Sequence, residues 1–180
     1  MARISLRAAA ALIAALSAVP TAGAQANRVV VRMRPYATPV VLDTLAIPFD
    51  FPVSHGQTWS AVRAAFTALR IPITTSDSSV GVMGNLRFTA STIFAGHRMS
   101  HWVDCGSTAA LGNNADRFRL TMAIAALVDA RGNAAATARI GLAASGLSVD
   151  GSSMDPVACA STGLLEARLA EEARKALTGP

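Results

Sequence analysis

A chain of 180 residues with 52% hydrophobic, 15% charged and 5% aromatic side chains has the length of one domain that can bury its own core. Its formal charge of +5 comes from basic residues that are scattered and almost all arginine, Lys175 being the one lysine. Nucleic-acid binding requires a dense basic stripe interleaved with stacking aromatics, so that class is excluded.

The chain opens "MARISLRAAAALIAALSAVPTAGAQA", with Arg3 and Arg7 before an apolar run from Ala8 to Val19 and a small-residue stretch. This is the layout of a secretory signal peptide over residues 1–26, cut after Ala24 or Ala26. The apolar run is too short for a bilayer core of ~30 Å, and no later stretch is long enough, so the mature chain carries no transmembrane anchor. Residues 27–180 are expected as a single α+β domain, periplasmic or secreted. They retain fourteen basic and eleven acidic residues, a net of +3.

"RVVVRMR" sets Val29, Val31 and Met33 against Arg28, Arg32 and Arg34, the alternation of a strand with one wet face. Pro35 and Pro39 bracket a turn. "VVLDTLAIPFDFPV" reads as extended chain, with Pro48 and Pro52 suiting a sheet edge. The period then changes: Trp59, Val62, Phe66 and Leu69 form one stripe of a helix over about 56–70 that stops before Pro72. Trp59 reads as a core anchor. "IPITTSD" is extended, and "SVGVMGN" and "LRFTAST" read as two short strands joined by a turn at Gly84–Asn85. "HRMSHWVDCG" is expected as a strand and "STAALGNNAD" as a loop.

In "RFRLTMAIAALVDA", Phe118, Leu120, Met122, Ile124, Ala126 and Val128 share one face, opposite Arg117, Arg119 and Thr121. After the turn "DARGN", Ala136, Ala138, Ile140 and Leu142 continue it opposite Thr137 and Arg139, which makes a long antiparallel hairpin. Its outer face, polar at one end and alanine-rich at the other, is expected to be solvated. A polar loop leads to Cys159. A terminal helix over about 162–177 follows, with Ser161 or Thr162 as N-cap, an apolar stripe of Leu165, Leu169, Ala173 and Ala176, and Glu166 on the polar side. The fold class is therefore an antiparallel sheet packed against two helices.

Cys105 and Cys159 are the two cysteines of the chain. An even count after an export signal predicts a Cys105–Cys159 disulfide. The rival is a nucleophilic Cys105 served by His101 and Asp104. On a strand, however, His101 and Cys105 stand about 13 Å apart at ~3.3 Å per residue, out of hydrogen-bond reach. His97 and His101 could share an ion on a helix but not on a strand, and no metal is expected. The glycines lack phosphate-cradling spacing and strand-to-helix context, so no cofactor is expected. No G-x-S-x-G or H-E-x-x-H occurs, and no catalytic residue is assigned.

The segments "TWSAVRAAFTALRIPITTSD" and "CASTGLLEARLAEEARKAL" make up about a quarter of the mature chain. In the order helix, IP-extended segment, sheet, DCG, long hairpin and C-x-STG-x-LE helix, the chain resembles exported bacterial proteins. More distantly, it resembles the helix-grip domain of BamC-like outer-membrane assembly lipoproteins. The resemblance implies a sheet wrapped around the terminal helix. Those lipoproteins carry an anchoring cysteine and two such domains, whereas this chain has no cysteine near its cleavage site and room for one domain.

The expected function is a non-catalytic cell-envelope module, binding or structural, with another envelope protein as candidate partner. The alternative is a periplasmic carrier of a small apolar ligand or lipid, its cavity lined by Trp59, Phe66, Phe88 and Met122. A third reading, a hydrolase using His101 and Asp104, would require them, with Asp116, around a deep pocket.

Overall fold

The computed structural model describes residues 28–151 and 153–179, and the expected signal peptide lies outside the described residues. The first half of the chain contains β1 (Val30–Val31), β2 (Val40–Val41), α1 (Leu42–Leu45), β3 (Ile47–Phe51), α2 (His55–Ala68), β4 (Thr75–Asp77) and β5 (Val82–Ser91). Next come β6 (Ile93–Phe94), β7 (His97–Arg98), α3 (Met99–Trp102), β8 (Val103–Asp104), β9 (Ser107–Thr108), β10 (Gly112–Asn113) and a 3-10 turn at Asn114–Asp116. The chain closes with β11 (Phe118–Ala130), β12 (Ala136–Ser148), β13 (Val157–Ser161) and α4 (Leu164–Thr178).

The architecture is the expected α+β arrangement. An antiparallel sheet runs β4-β5-β11-β12-β13-β8, with β3 also paired to β12. At its centre lies the predicted hairpin, in unbroken register from Phe118↔Ser148 to Ala130↔Ala136. Its alternation places Leu120, Met122, Ile124 and Ala126 against α2 and α4, where Phe66, Leu165 and Leu169 complete a fully buried core.

Helix α2 starts where a capping box satisfies its first amides: Gln57 N donates to Ser54 Oγ at 3.4 Å and Ser54 N to Gln57 Oε1 at 3.1 Å. It ends before Pro72 because Arg70 turns left-handed at φ 56°, with Ile71 N donating to Phe66 O at 2.9 Å and Arg70 N to Thr67 O at 3.0 Å. Trp59 is only half-buried, packed on the rim of the core.

Several local expectations are corrected. Gly84–Asn85 is no turn, for β5 runs straight through it. Ile124 pairs with Asn85 and Met122 with Phe88, so Leu86 and Arg87 together face Ala123 in a bulge. Asn85 holds that bulge, its Oδ1 accepting from Arg87 N at 2.9 Å while Nδ2 donates to Pro72 O at 2.8 Å. The "HRMSHWVDCG" strand is interrupted by the helical turn α3, because Asp116 Oδ1 accepts from Ser100 N at 2.8 Å across sixteen residues. The loop before Cys159 ends in a strand, β13, that pairs with β12. The second extended segment is likewise broken by α1. In α4, Ala176 is exposed, Glu166 is buried at 1% exposure, and Gly163 precedes the first turn where a Ser161 or Thr162 cap was expected.

The alanine-rich end of the outer sheet face is not solvated either. β1, β2 and α1 lie across it, so Val29, Val31 and Leu42 pack on Ala123, Ala125 and Ala143 in a second buried cluster. Small residues allow this approach: a Cβ on Gly141 would stand 2.5 Å from Leu42 O. Gly141→Ala should therefore cost about 1–3 kcal/mol in urea titration. Gly56→Ala, with nothing within 4 Å of its new methyl, should be neutral or stabilising. Equal behaviour of the two variants would refute the tight contact.

Candidate functional site

The predicted disulfide forms. Cys105 and Cys159 are bridged with Cα atoms 4.2 Å apart, 54 residues apart in sequence. Ala160 pairs with Asp104 and Ser161 with Val103, so the cysteines occupy the next opposed position and the bridge continues the β8–β13 ladder. Both are buried, at 7% and 3% exposure. A bridged sulfur is not a nucleophile, so the Cys105 dyad has no chemical basis in this state.

The remaining groups around "HWVDCG" serve the loops. Asp104 Oδ1 accepts from Gly106 N at 2.8 Å and Asn113 Nδ2 at 3.2 Å. Asp116 is engaged by Ser100, its Oδ2 accepting from Ser100 Oγ at 2.9 Å. Because α3 is helical, His97 and His101 meet after all, their rings stacked at 4.2 Å with planes 14° apart. Imidazole lone pairs lie in the ring plane, so near-parallel stacked rings do not converge on one ion at ~2.0–2.1 Å. Among the described residues no three His, Cys, Asp or Glu side chains group to hold a metal. The stack rests on the edge of Trp102, which is 2% exposed and donates Nε1–H to Phe94 O at 2.9 Å.

The four residues expected around a ligand cavity belong to the main apolar cluster. Phe66 and Met122 have no exposed surface, while Trp59 and Phe88 are partly buried at its margin. The hollows described next involve other residues.

One is a fissure of about 480 Å³ lined by Leu45, Ile47, Leu142 and Glu166 among others. It sits where β12 changes partner: β3 pairs with Ala136–Ile140 and β13 with Ala144–Gly146, leaving 141–143 between them. Tyr36 Oη spans the join, donating to Ala144 O at 2.9 Å. Burial raises the tyrosine's pKa.

Glu166 Oε1 accepts from Ser161 Oγ at 2.7 Å, and Oε2 has no hydrogen-bond partner among the described residues. Desolvation raises the Glu166 pKa above the ordinary carboxylate range, with the Ser161 hydrogen bond acting against it. The folded state thus holds this proton more tightly than the unfolded chain. The favourable contribution is complete below the unfolded carboxylate pKa of ~4.3 and is lost as pH rises through the raised folded value. Glu166→Gln should flatten that fall when urea midpoints are compared from about pH 4 to about pH 7. A variant as pH-sensitive as the parent would show that Glu166 contributes nothing to the profile.

The larger hollow, about 690 Å³, lies on the outer sheet face beside the N-terminal layer. Arg32 and Arg34 reach it from the segment after β1, Arg87 from the β5 bulge and Arg119 from β11. Its floor follows from the register: Thr121 opposes Ser145 on β12, and Arg119 opposes Leu147. All four arginines are exposed, no carboxylate lines the groove, and among the described residues none of the four makes an ion pair. By contrast, Arg117 is paired to Asp150 at 3.3 Å and Arg139 to Asp129 at 2.8 Å. Alternation puts Arg32, Arg34 and Arg119 on wet faces, but only the layered topology makes those faces one surface. Arg87 joins it through a bulge that the Gly84–Asn85 signal disguised.

Comparison with protein-family models, with curated proteins and with solved structures finds no match to this chain.

Proposed function

We propose that this chain is a non-catalytic, exported module of the cell envelope, stapled by Cys105–Cys159, that binds another envelope component through the outer face of its sheet. The observation that carries the reading is the disulfide, buried at the join of β8 and β13, since a structural bridge persists in an oxidising compartment. Among the described residues no helix is long and apolar enough to cross a membrane. Engagement of Asp104 by the Gly106 amide, of Asp116 by the Ser100 amide in α3, and of Cys105 by the bridge supports a binding rather than a catalytic role. The arginine groove supplies an unneutralised surface of the kind that partners cover.

Cell fractionation with thiol labelling, followed by in-situ crosslinking of the tagged chain, tests this reading. The expected result is an oxidised, leader-free protein in the periplasmic or secreted fraction, crosslinked to one reproducible envelope component. Reduced cysteines in a cytosolic protein would overturn export. Stoichiometric lipid held inside the purified protein, with no crosslinked component, would favour the carrier instead.

A further inference from the structure

We propose that the arginine groove docks on an anionic lipid surface, its guanidinium groups meeting phosphate headgroups and the exposed Val149 and Met154 reaching the apolar layer beneath. The proposal rests on the exported-envelope reading and names the component bound.

Three separate segments bring Arg32, Arg34, Arg87 and Arg119 to one groove without a carboxylate among them. Like charges gathered on a folded surface repel, and an anionic partner relieves that cost. Guanidinium is planar, permanently charged and weakly hydrated, and its forked donors match phosphate oxygens bidentately. Thr121 and Ser145 add hydroxyls to the floor.

Apolar surface distinguishes a lipid from a small soluble anion. Val30 at 50% exposure and Leu147 at 36% line the same groove. Just beyond the end of β12, Val149 is 63% exposed, and Met154 in the same loop is 85% exposed. Arginines beside the exposed aliphatic side chains of Val30 and Leu147 form the pattern of a face that lies in a membrane interface, charge on headgroups and apolar tips below them. Neither a bare phosphate nor an acidic polar segment gives those tips anything to contact.

The test is flotation of the full exported protein, disulfide intact, with vesicles of phosphatidylcholine alone or of phosphatidylcholine containing phosphatidylglycerol. Mass spectrometry first fixes the N-terminus, because a retained apolar leader would bind either vesicle regardless of the groove. Binding is expected only with phosphatidylglycerol and should weaken as salt shortens the screening length. Each groove arginine removed should cost roughly fivefold in affinity, so Arg87→Gln/Arg119→Gln should lose about 25-fold. Met154→Asp should also weaken binding, whereas Arg70→Gln, at the end of α2, should leave it within about twofold. Thermal unfolding confirms that each variant folds, and single Arg119→Gln makes the same comparison if the double variant does not.

Equal binding to both vesicles, or a double variant that binds like the parent, would overturn the proposal. So would saturable binding of inorganic phosphate in calorimetry without vesicle binding, or a crosslinked acidic protein lost in the arginine variants while vesicles stay unbound. Those outcomes leave the exported-module reading in place, because it is tested by the thiol state, the fractionation and the absence of internally held lipid rather than by vesicle binding.

Discussion

Removing both sulfurs, as Cys105→Ala/Cys159→Ala, should lower the free energy of unfolding by about 4 kcal/mol. The bridge spans 54 residues of sequence, and cross-linking a loop of that size removes a corresponding share of unfolded-chain entropy. Because the sulfurs join directly opposed positions of β8 and β13, the native state accommodates the link within its own ladder. Alanine is the better replacement, since serine would place hydroxyls at positions of 7% and 3% exposure. Against a total stability of ~5–15 kcal/mol for such domains, the loss is large. Urea titration measures it, and the denaturant slope should rise as the unfolded chain expands. A loss under about 1 kcal/mol would mean that the unfolded chain is already held compact without the bridge.

Phe66→Ala should cost about 3–5 kcal/mol. Phe66 lies on the sheet-facing side of α2 with no exposed surface, in the cluster that includes Met122, Leu165 and Leu169. Truncation removes the transfer energy of the ring and leaves a cavity between layers that hydrogen-bonded ladders hold apart. Trp59→Ala, at the half-buried start of the same stripe, should cost less. The pair also bears on the carrier reading. A Phe66 that lined a pre-formed void would already lack contacts on one side, so a loss below about 2 kcal/mol would favour a ligand cavity.

Elements with strong internal periodicity were legible in the sequence. The β11–β12 hairpin and α2 carry their burial pattern in their own residues. The disulfide followed from the cysteine count and the expected export signal. Features depending on a distant partner were not legible. Met99–Trp102 turns helical through Asp116, and Glu166 sits on the side read as polar because the fissure beside β13 takes it in. The alanines and Gly141 of the central strands, read as a wet face, are small because a second layer lies on them. The groove was half legible: Arg32, Arg34 and Arg119 were placed on outward faces and Arg87 was not, and bringing Arg32 and Arg119 together required knowing that the N-terminal segment crosses the hairpin.

The two flanks of the sheet carry a further consequence, for self-association. Long, alanine-rich, uncharged stretches of β11 and β12 are the kind of segment that stacks into cross-β fibrils when its backbone is open. Here both are interior, and the strands at the outer positions are β4, with three residues, β8, with two, and β3, with five that include Pro48. Such short rims offer few open amides to a neighbouring chain. The guard on the β12 flank is β3 along Ala136–Ile140 and, along Ala144–Gly146, β13 and β8 riveted by the cysteine bridge, so reducing conditions would loosen the cover over that second stretch. An intact bridge then protects the chain from polymerising as well as from unfolding.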